Sequence, residues 1–320
     1  MKCVVTALIL YLGIALLLVA TQRPKSTPGI SLDFSRQSDA AISTAESLSF
    51  TSRDGVELNY RRSGKQDGPL IVIIHGSSAH GGLYEELAVG LSDLGVIIVP
   101  DLRGHAEQSP IGDVSYIGQL EDDLADLIAS TRVDIGQQII LIGHSSGGGL
   151  VVRYSGNVEH EKPDGAVLLA PYLGYNAPTL REDAGGWAQP LTRRIIGLTM
   201  LNALGVRLFN HLPVISFRLP ENSESLQMTG SYTYRMNTSF APRRKYKEDM
   251  SSLPSFKILV GDQDEAFIST EYEPLLESFD NQGSVEIIDG ISHLDIIGSR
   301  VVHEKIGEFI ADLSAKKTLM

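Results

Sequence analysis

The sequence has little cysteine and a deficit of positive charge. Its 320 residues include one cysteine, Cys3, so no disulfide can form within the chain. No cysteine or histidine spacing resembles a zinc site, and we expect neither a structural metal nor a cofactor. The formal net charge is -12. This charge argues against nucleic acid as a partner, because phosphate binding depends on clustered Lys and Arg.

Internal repeats and low-complexity segments are also missing. Hydrophobic residues make up 42% of the chain, enough to bury a large core. The length fits one sizeable α/β domain or two small ones, with an acidic surface facing water.

One long apolar run departs from the composition of a soluble protein. Residues 4–20 are almost wholly apolar, and Arg23 begins a polar linker. We predict a signal peptide or membrane anchor over residues 1–22 and a linker over 23–44. The bulky Leu18 stands where a cleavage site needs a small residue, which favours a retained anchor over an exported form released by cleavage. Lys2 and the basic residues after the run balance each other, so the orientation stays open.

Short apolar runs alternate with segments of helical spacing along the rest of the chain. Asp54-Gly55 separates two opening segments and favours a tight hairpin turn. The later runs are rich in β-branched residues, as expected of parallel strands covered on both faces. They occupy 70–74, 96–99, 138–142, 166–169, 256–260 and 285–288. This alternation predicts βαβ units and a right-handed, mostly parallel sheet.

The alternation stops between residues 172 and 245, which we predict to be a cap or lid inserted over the sheet. Residues 187–209 are apolar with scattered arginines and predict one or two amphipathic helices. The insertion contains nine Lys or Arg against four Asp or Glu, in a chain that is acidic overall. These charges either face water or meet an anionic surface or substrate.

The stretch Gly143-His144-Ser145-Ser146-Gly147 has the pattern Gly-x-Ser-x-Gly and follows an apolar strand. Such a serine lies on a sharp strand-to-helix turn, where glycines avoid collisions with neighbouring backbone. Ser145 is therefore a candidate nucleophile. The pattern alone is weak, because a Gly- and Ser-rich loop produces it as well.

Three further motifs follow strands in the same region. They are His75-Gly76, the stretch Asp101-Leu102-Arg103-Gly104-His105 with Ser109, and the pair Gly261-x-x-Asp264 and Gly290-x-x-His293. Together with the Ser145 turn, they resemble the α/β-hydrolase superfamily. The second motif is similar to that of the branch with serine aminopeptidases, monoacylglycerol lipases and lysophospholipases. The motif of that branch is Asp-x-Arg-Gly-His-Gly-x-Ser. Ala106 stands here in place of its last glycine, and Ser109 lies one position later than its serine.

The resemblance implies a fold and a division of the chain. The fold is a mostly parallel eight-stranded sheet flanked by helices, with a helical cap inserted after the sixth strand. Residues 45–171 and 246–320 then form the hydrolase core, and 172–245 form the cap.

A serine hydroxyl needs a base to take its proton and an acid to orient that base. His293 follows the last strand, in the Ser…Asp…His order of the family, and is the candidate base. Asp264 falls where the family's Gly-x-x-Asp motif places the acid. Asp262 and Glu265 remain alternatives for that role.

The tetrahedral intermediate of ester or amide cleavage carries an oxyanion that needs preorganised donors. The resemblance assigns these donors to the backbone N–H groups of Ser77 and Ser146, with Ser78 as the fallback. These donors form the oxyanion hole. Because the donor at position 77 is a backbone N–H, we expect the Ser77 side chain to alter the shape of the acyl pocket more than it alters the oxyanion hole.

The other histidines have structural interpretations. His75 and His105 are predicted to orient loops near the site, and His144 directly precedes the nucleophile and does not easily turn back to it. The default interpretation of the rest is a surface or loop position: His80, His160, His211 and His303.

Our first hypothesis is a serine hydrolase that cleaves a carboxylic ester with a lipid-like or other apolar acyl group. A serine aminopeptidase is the alternative, and the cap offers acids for binding an amino terminus: Glu182, Asp183, Glu221 and Glu224. A non-catalytic, membrane-tethered binding protein of this fold is a third possibility. Epoxide hydrolases and haloalkane dehalogenases need an aspartate where Ser145 stands. The partners we expect are an ester or lipid substrate and a membrane.

Overall fold

A computed structural model describes residues 2–22, 32–34 and 46–318. Most of the predicted linker, 23–44, lies outside the described residues. The strands are β1 (Glu46–Thr51), β2 (Glu57–Gly64), β3 (Leu70–Ile74), β4 (Val96–Pro100), β5 (Ile139–His144), β6 (Gly165–Leu169), β7 (Ala188–Pro190), β8 (Pro213–Phe217), β9 (Ser231–Thr233), β10 (Phe256–Gly261) and β11 (Gly283–Ile288). The α-helices are α1 (Lys2–Thr21), α2 (Glu85–Gly90), α3 (Gln119–Thr131), α4 (Ser146–Ser155), α5 (Thr192–Ala203), α6 (Tyr234–Phe240), α7 (Tyr246–Ser251), α8 (Tyr272–Glu277) and α9 (Arg300–Thr318).

Eight strands form the main sheet, in the order β1-β2-β4-β3-β5-β6-β10-β11. The strands β1 and β2 are an antiparallel hairpin, with Gly55 at φ 84° in its turn. Strand β2 is antiparallel to β4, and the strands from β4 to β11 pair in parallel. The predicted mostly parallel, eight-stranded sheet is confirmed.

The central strands are buried along their whole length. Every residue of β3, β4, β5 and β6 is buried. Helices cover both faces of a parallel sheet, so the sequences of these strands are continuous apolar runs and do not alternate between apolar and polar residues. Burying each aliphatic side chain contributes about 2 kcal/mol. The sheet is therefore a rigid base, and the loops at its carboxyl edge carry the predicted site.

The segment between β6 and β10 contains α5, α6, α7 and a second sheet. This sheet is three-stranded and antiparallel, in the order β7-β8-β9. From the sequence we expected a cap made of helices, and this sheet was not predicted. Its strands span three to five residues, which is too short for periodicity to distinguish them from loops.

Helix α1 packs against the cap helix α5 rather than against the main sheet. Ala15 is fully buried there, and a Cβ on Gly197 would lie 2.6 Å from the Ala15 carbonyl oxygen. The Gln22 side chain accepts hydrogen bonds from the Arg193 and Arg194 N–H groups, at 2.8 and 3.3 Å, and so caps the first turn of α5.

By length and composition, α1 can cross a membrane. Many of its large apolar side chains are exposed: Val4, Val5, Leu8, Ile9, Leu10, Ile14, Leu16 and Leu17.

Candidate active site

Ser145 lies on the turn between β5 and α4 in a strained conformation, with φ 54° and ψ -121°. A non-glycine residue adopts this region only when its surroundings impose it. The Ser145 N–H donates to the Leu169 carbonyl at 2.9 Å. A side chain at Gly147 would collide with the Ile74 carbonyl oxygen, and a Cβ at Gly143 would lie 2.5 Å from the Gly147 carbonyl oxygen. Both glycines of the motif are thus required by close backbone packing.

Asp264 and His293 form a buried pair at the ends of β10 and β11. The Asp264 Oδ2 to His293 Nδ1 distance is 2.8 Å, and each residue is 2% exposed. Asp264 Oδ1 accepts the N–H groups of Ala266 and Phe267, at 2.8 and 2.7 Å. Burial opposes ionisation of Asp264, but His293 and these N–H groups hold its pKa below the ordinary value. The carboxylate is therefore ionised at neutral pH.

The other two candidate acids contact the backbone and not the imidazole. Asp262 is exposed and accepts the Gly290 N–H at 2.6 Å, which fixes the turn after β11. Glu265 accepts the backbone N–H of His293 at 2.8 Å. Of the three carboxylates, only Asp264 contacts the His293 ring.

His144, the residue directly before Ser145, contacts His293. The His144 Nε2 lies 3.0 Å from the His293 carbonyl oxygen, and the two rings are 4.7 Å apart between centroids. Among the described hydrogen bonds, none joins His293 Nε2 to Ser145 Oγ. Such bonds are often long in unliganded sites and tighten when substrate binds.

The predicted oxyanion donors lie next to each other. The hydroxyl groups of Ser77 and Ser146 are hydrogen-bonded at 2.7 Å. The Ser78 N–H, the fallback donor, is already donated to the Tyr232 hydroxyl at 2.7 Å. Ser78 is therefore a poorer candidate for the hole than Ser77.

The Asp101–His105 motif stabilises loops around the site. Asp101 Oδ1 accepts the Arg61 guanidinium at 2.7 Å and the Gly81 N–H at 2.8 Å. Arg103 is 6% exposed and pairs with Asp123 at 2.8 Å. These are buried, charge-assisted hydrogen bonds of the stronger kind.

His75 and His105 are buried, and all of their ring nitrogens have partners. The His75 nitrogens contact the Gly76 carbonyl at 2.9 Å and the Leu102 N–H at 3.1 Å. Burial lowers the pKa of His105 to about 4 and that of His75 well below its ordinary value. Both rings are neutral, and both hold loops.

His80 lies in a loop, as the default interpretation allows, and is 7% exposed. Its Nε2 lies 3.0 Å from the Leu226 carbonyl oxygen in the cap. A histidine that joins two distant segments is buried by tertiary contacts, which its neighbours in sequence do not reveal.

Two tyrosines near the site were missed by sequence reasoning. Tyr84 and Tyr232 are each 1% exposed, and each hydroxyl bonds to the loop that follows β3. No local pattern marks either residue, because the partners of Tyr232 lie more than a hundred positions away. For metals, the described ranges contain no group of three or more His, Cys, Asp or Glu able to hold an ion.

Comparison with known proteins identifies the family. Residues 66–294 match the model of the family described as serine aminopeptidase, S33. The chain belongs to this family of α/β-hydrolases. The match spans this S33 hydrolase from just before β3 to just past His293, and so includes the Ser145 turn and Asp264.

Relatives and similar structures agree with this assignment. A non-heme chloroperoxidase from Kitasatospora aureofaciens is 36% identical over 121 residues, which are 38% of this chain and 42% of the relative. The S33 hydrolase thus spans about two fifths of that relative's length.

Two solved structures share the fold. A monoacylglycerol lipase from Paleococcus ferrophilus aligns with TM-score 0.58 and 19% identity, covering 81% of this chain and 100% of the lipase. A bacterial membrane phospholipase A aligns with TM-score 0.60 and 18% identity, covering 98% of this chain and 96% of the phospholipase.

Proposed function

We propose that this S33 hydrolase cleaves a carboxylic ester through an acyl-enzyme formed on Ser145. The observation that carries the proposal is the buried 2.8 Å hydrogen bond between Asp264 and His293, beside the strained Ser145 turn. A buried carboxylate on Nδ1 selects the tautomer whose Nε2 accepts a proton. The strained turn holds the nucleophile's backbone in one conformation, which lowers the cost of ordering it in the transition state.

In the proposed reaction, Ser145 Oγ attacks the ester carbonyl carbon while His293 Nε2 takes the hydroxyl proton. Asp264 stabilises the resulting imidazolium. The N–H groups of Ser77 and Ser146 donate to the oxyanion of the tetrahedral intermediate. The intermediate collapses, the C–O bond to the alcohol breaks, and His293 returns the proton to that oxygen. In deacylation, His293 Nε2 takes a proton from water as the water oxygen attacks the acyl carbon, the bond between that carbon and Ser145 Oγ then breaks, and His293 returns the proton to Oγ.

Apolar surroundings support an ester of an apolar acid. The Phe267 ring lies 5.2 Å from the His293 ring, and Phe217 packs at 4.9 Å on Tyr232 next to the oxyanion loop. The named activities of the similar monoacylglycerol lipase and membrane phospholipase A are consistent with this substrate class.

The cap covers the site and is proposed to act as a lid. Ser145 is 6% exposed, and His293 is more deeply buried. Cap residues contact the site loop directly, since the Thr229 N–H donates to the Ser78 carbonyl at 2.9 Å. We therefore expect the cap to move when substrate enters.

The S33 family description keeps the aminopeptidase alternative open. An aminopeptidase needs carboxylates near the nucleophile to bind the substrate's ammonium group. Three of the four acids of the cap are exposed to solvent: Glu182, Glu221 and Glu224. This exposure favours the ester. Turnover of p-nitrophenyl acyl esters, compared with that of proline and alanine anilides, separates the two activities.

A fluorophosphonate probe tests the catalytic proposal. It is expected to label the wild type, and Ser145→Ala is expected to abolish both labelling and ester turnover. Ser130→Ala is the matched control, because the Ser130 hydroxyl donates to the Leu127 carbonyl at 2.9 Å, within α3. Full activity in Ser145→Ala would refute the nucleophile and favour a non-catalytic binding protein.

We also propose that α1 is a retained membrane anchor. Its apolar composition, its exposed side chains and its packing on α5 support this, because cleavage after Ala20 would remove the residues buried against Gly197. An anchored protein with a basic cap is placed to take substrate from an anionic bilayer. Membrane fractionation with N-terminal sequencing is the test, and a soluble form that begins after Ala20 would refute the anchor.

A further inference from the structure

We propose that Tyr84 and Tyr232 are positioning residues of the oxyanion hole, because they fix the backbone on either side of Ser77. The inference rests on the proposed function and deepens it. Neither tyrosine is expected to contact substrate. Each acts through a peptide group of the loop after β3 and through a buried histidine behind it.

Tyr84 holds the peptide group between His75 and Gly76, one before the group that carries the Ser77 N–H. Its hydroxyl oxygen accepts the Gly76 N–H at 2.9 Å and lies 2.7 Å from His144 Nδ1. Burial, with His293 nearby, lowers the pKa of His144 to about 3, so the ring is neutral. With the hydroxyl oxygen accepting from Gly76, the tyrosine proton goes to His144 Nδ1. The His144 Nε2–H then donates to the His293 carbonyl at 3.0 Å.

Tyr232 holds the peptide group that follows Ser77, in the same way. Its hydroxyl oxygen accepts the Ser78 N–H at 2.7 Å and lies 2.6 Å from His105 Nε2. His105 Nδ1 is 3.2 Å from the Arg103 carbonyl oxygen, so the neutral ring donates there and accepts the tyrosine proton. Two tyrosine–histidine pairs therefore bind the N–H groups of Gly76 and Ser78, on either side of Ser77 in one loop.

The N–H between these two fixed groups belongs to Ser77. Within the described part of the chain, no hydrogen bond uses the N–H of Ser77 or of Ser146 as donor. The two flanking contacts thus orient the Ser77 donor while leaving it free. Ser78 has φ 67°, a conformation that costs a serine free energy and persists only where contacts impose it. The Thr229 N–H, bonded to the Ser78 carbonyl, adds a third constraint.

The two tyrosines come from different parts of the chain. Tyr84 lies just before α2 in the core, whereas Tyr232 lies on the cap strand β9. If the cap moves away, the Ser78 N–H loses Tyr232 and the Ser78 carbonyl loses Thr229, so of these three contacts the loop keeps only the one with Tyr84. The oxyanion hole is consequently fully supported only when the cap is closed on the loop. Closure of the cap and stabilisation of the oxyanion are therefore coupled.

Tyr232→Phe tests the inference, because it removes one hydroxyl and keeps the ring. Tyr84→Phe is the second variant and releases the other side of Ser77. Tyr234→Phe is the matched control. Tyr234 is 5% exposed and two positions from Tyr232, but its hydroxyl bonds at 3.0 Å to Thr199, away from the loop. Steady-state turnover of a p-nitrophenyl ester and inhibition by a trifluoromethyl ketone are measured for each variant, with thermal unfolding to verify folding.

Both test variants are expected to lower kcat by roughly 10- to 100-fold, less than the loss of a whole oxyanion donor, with KM changed by less than about 3-fold. The ketone forms a tetrahedral adduct with Ser145, so its inhibition constant should rise by the factor by which kcat/KM falls. Tyr234→Phe should leave kcat within about 2-fold of the wild type. Unchanged kcat in both test variants would overturn the inference, as would a fall in kcat without weaker ketone binding.

The Ser145→Ala variant in the same assay separates the two proposals. If it keeps full activity, the proposed function is wrong. If it is inactive while both tyrosine variants match the wild type, only the positioning role is wrong.

Discussion

Replacing Asp264 with asparagine is expected to disable His293 through its tautomer. Asp264 Oδ1 accepts two backbone N–H groups, from Ala266 and Phe267, so the amide oxygen of an asparagine must take that position. The amide NH2 would then face His293 Nδ1. A donor at that position forces the ring proton onto Nε2, which then cannot accept the hydroxyl proton of Ser145.

The expected loss in kcat is about 10³- to 10⁴-fold, or about 4 to 5.5 kcal/mol of transition-state stabilisation. Geometry should change little, because the two side chains have nearly the same shape. Turnover of a p-nitrophenyl ester measures the loss. Asp262→Asn is the matched control, since the Asp262 carboxylate contacts the turn at Gly290 and the Gln263 side chain and not the His293 ring, and the kcat of this variant should stay within about 3-fold of the wild type.

Two results would refute this reasoning. If Asp264→Asn keeps more than about a tenth of the wild-type kcat, the carboxylate does not set the tautomer of the catalytic base. If Asp262→Asn loses as much activity as Asp264→Asn, the acid has been assigned to the wrong member of the loop.

The remaining predictions concern stability. Gly147→Ala should lower the free energy of unfolding by about 1–3 kcal/mol, because the new methyl group collides with the Ile74 carbonyl, and urea unfolding in detergent measures the change. Burial opposes ionisation of Asp101, but His80 and Arg61 hold its pKa at about 2, below the ordinary 3.8. Its stabilisation, about 2 kcal/mol, is thus present above pH 4 and lost as the pH falls towards 2; urea unfolding across this range should show a weaker pH dependence in Asp101→Asn.

A last stability prediction concerns the contact between α1 and the cap. Gly197→Val should push α1 away from α5, because a Cβ already lies 2.6 Å from the Ala15 carbonyl oxygen. Hydrogen exchange in the first turn of α5 should accelerate, since Gln22 caps that turn, and unchanged exchange would contradict the docking.

The main sheet was predictable because its signals are local. Continuous apolar runs such as 70–74 and 138–142 mark strands that are buried on both faces, and the sheet confirms them. The three-stranded cap sheet gave no such signal. Its strands are short, and its pairing depends on contacts between segments far apart in the chain.

For the candidate site too, local motifs identified the residues, whereas the contacts between them depend on the fold. Motifs next to strand ends singled out Ser145, Asp264 and His293, because this chemistry needs those residue types at those turns. Their catalytic roles stay predictions. The sequence left three acids possible, and the contact of Asp264 with the imidazole is a distance that exists only in the folded chain.

By itself, the sequence determined the family, the sheet and the turn that carries Ser145, since each depends on residues adjacent in the chain. Only the tertiary structure decided which groups support the site. Tyr84 and Tyr232 meet the loop at Ser77 from opposite sides, and α1 packs on the cap at Gly197. Such contacts join segments that no local pattern relates, because folding selects them through packing and hydrogen-bond satisfaction across the whole molecule.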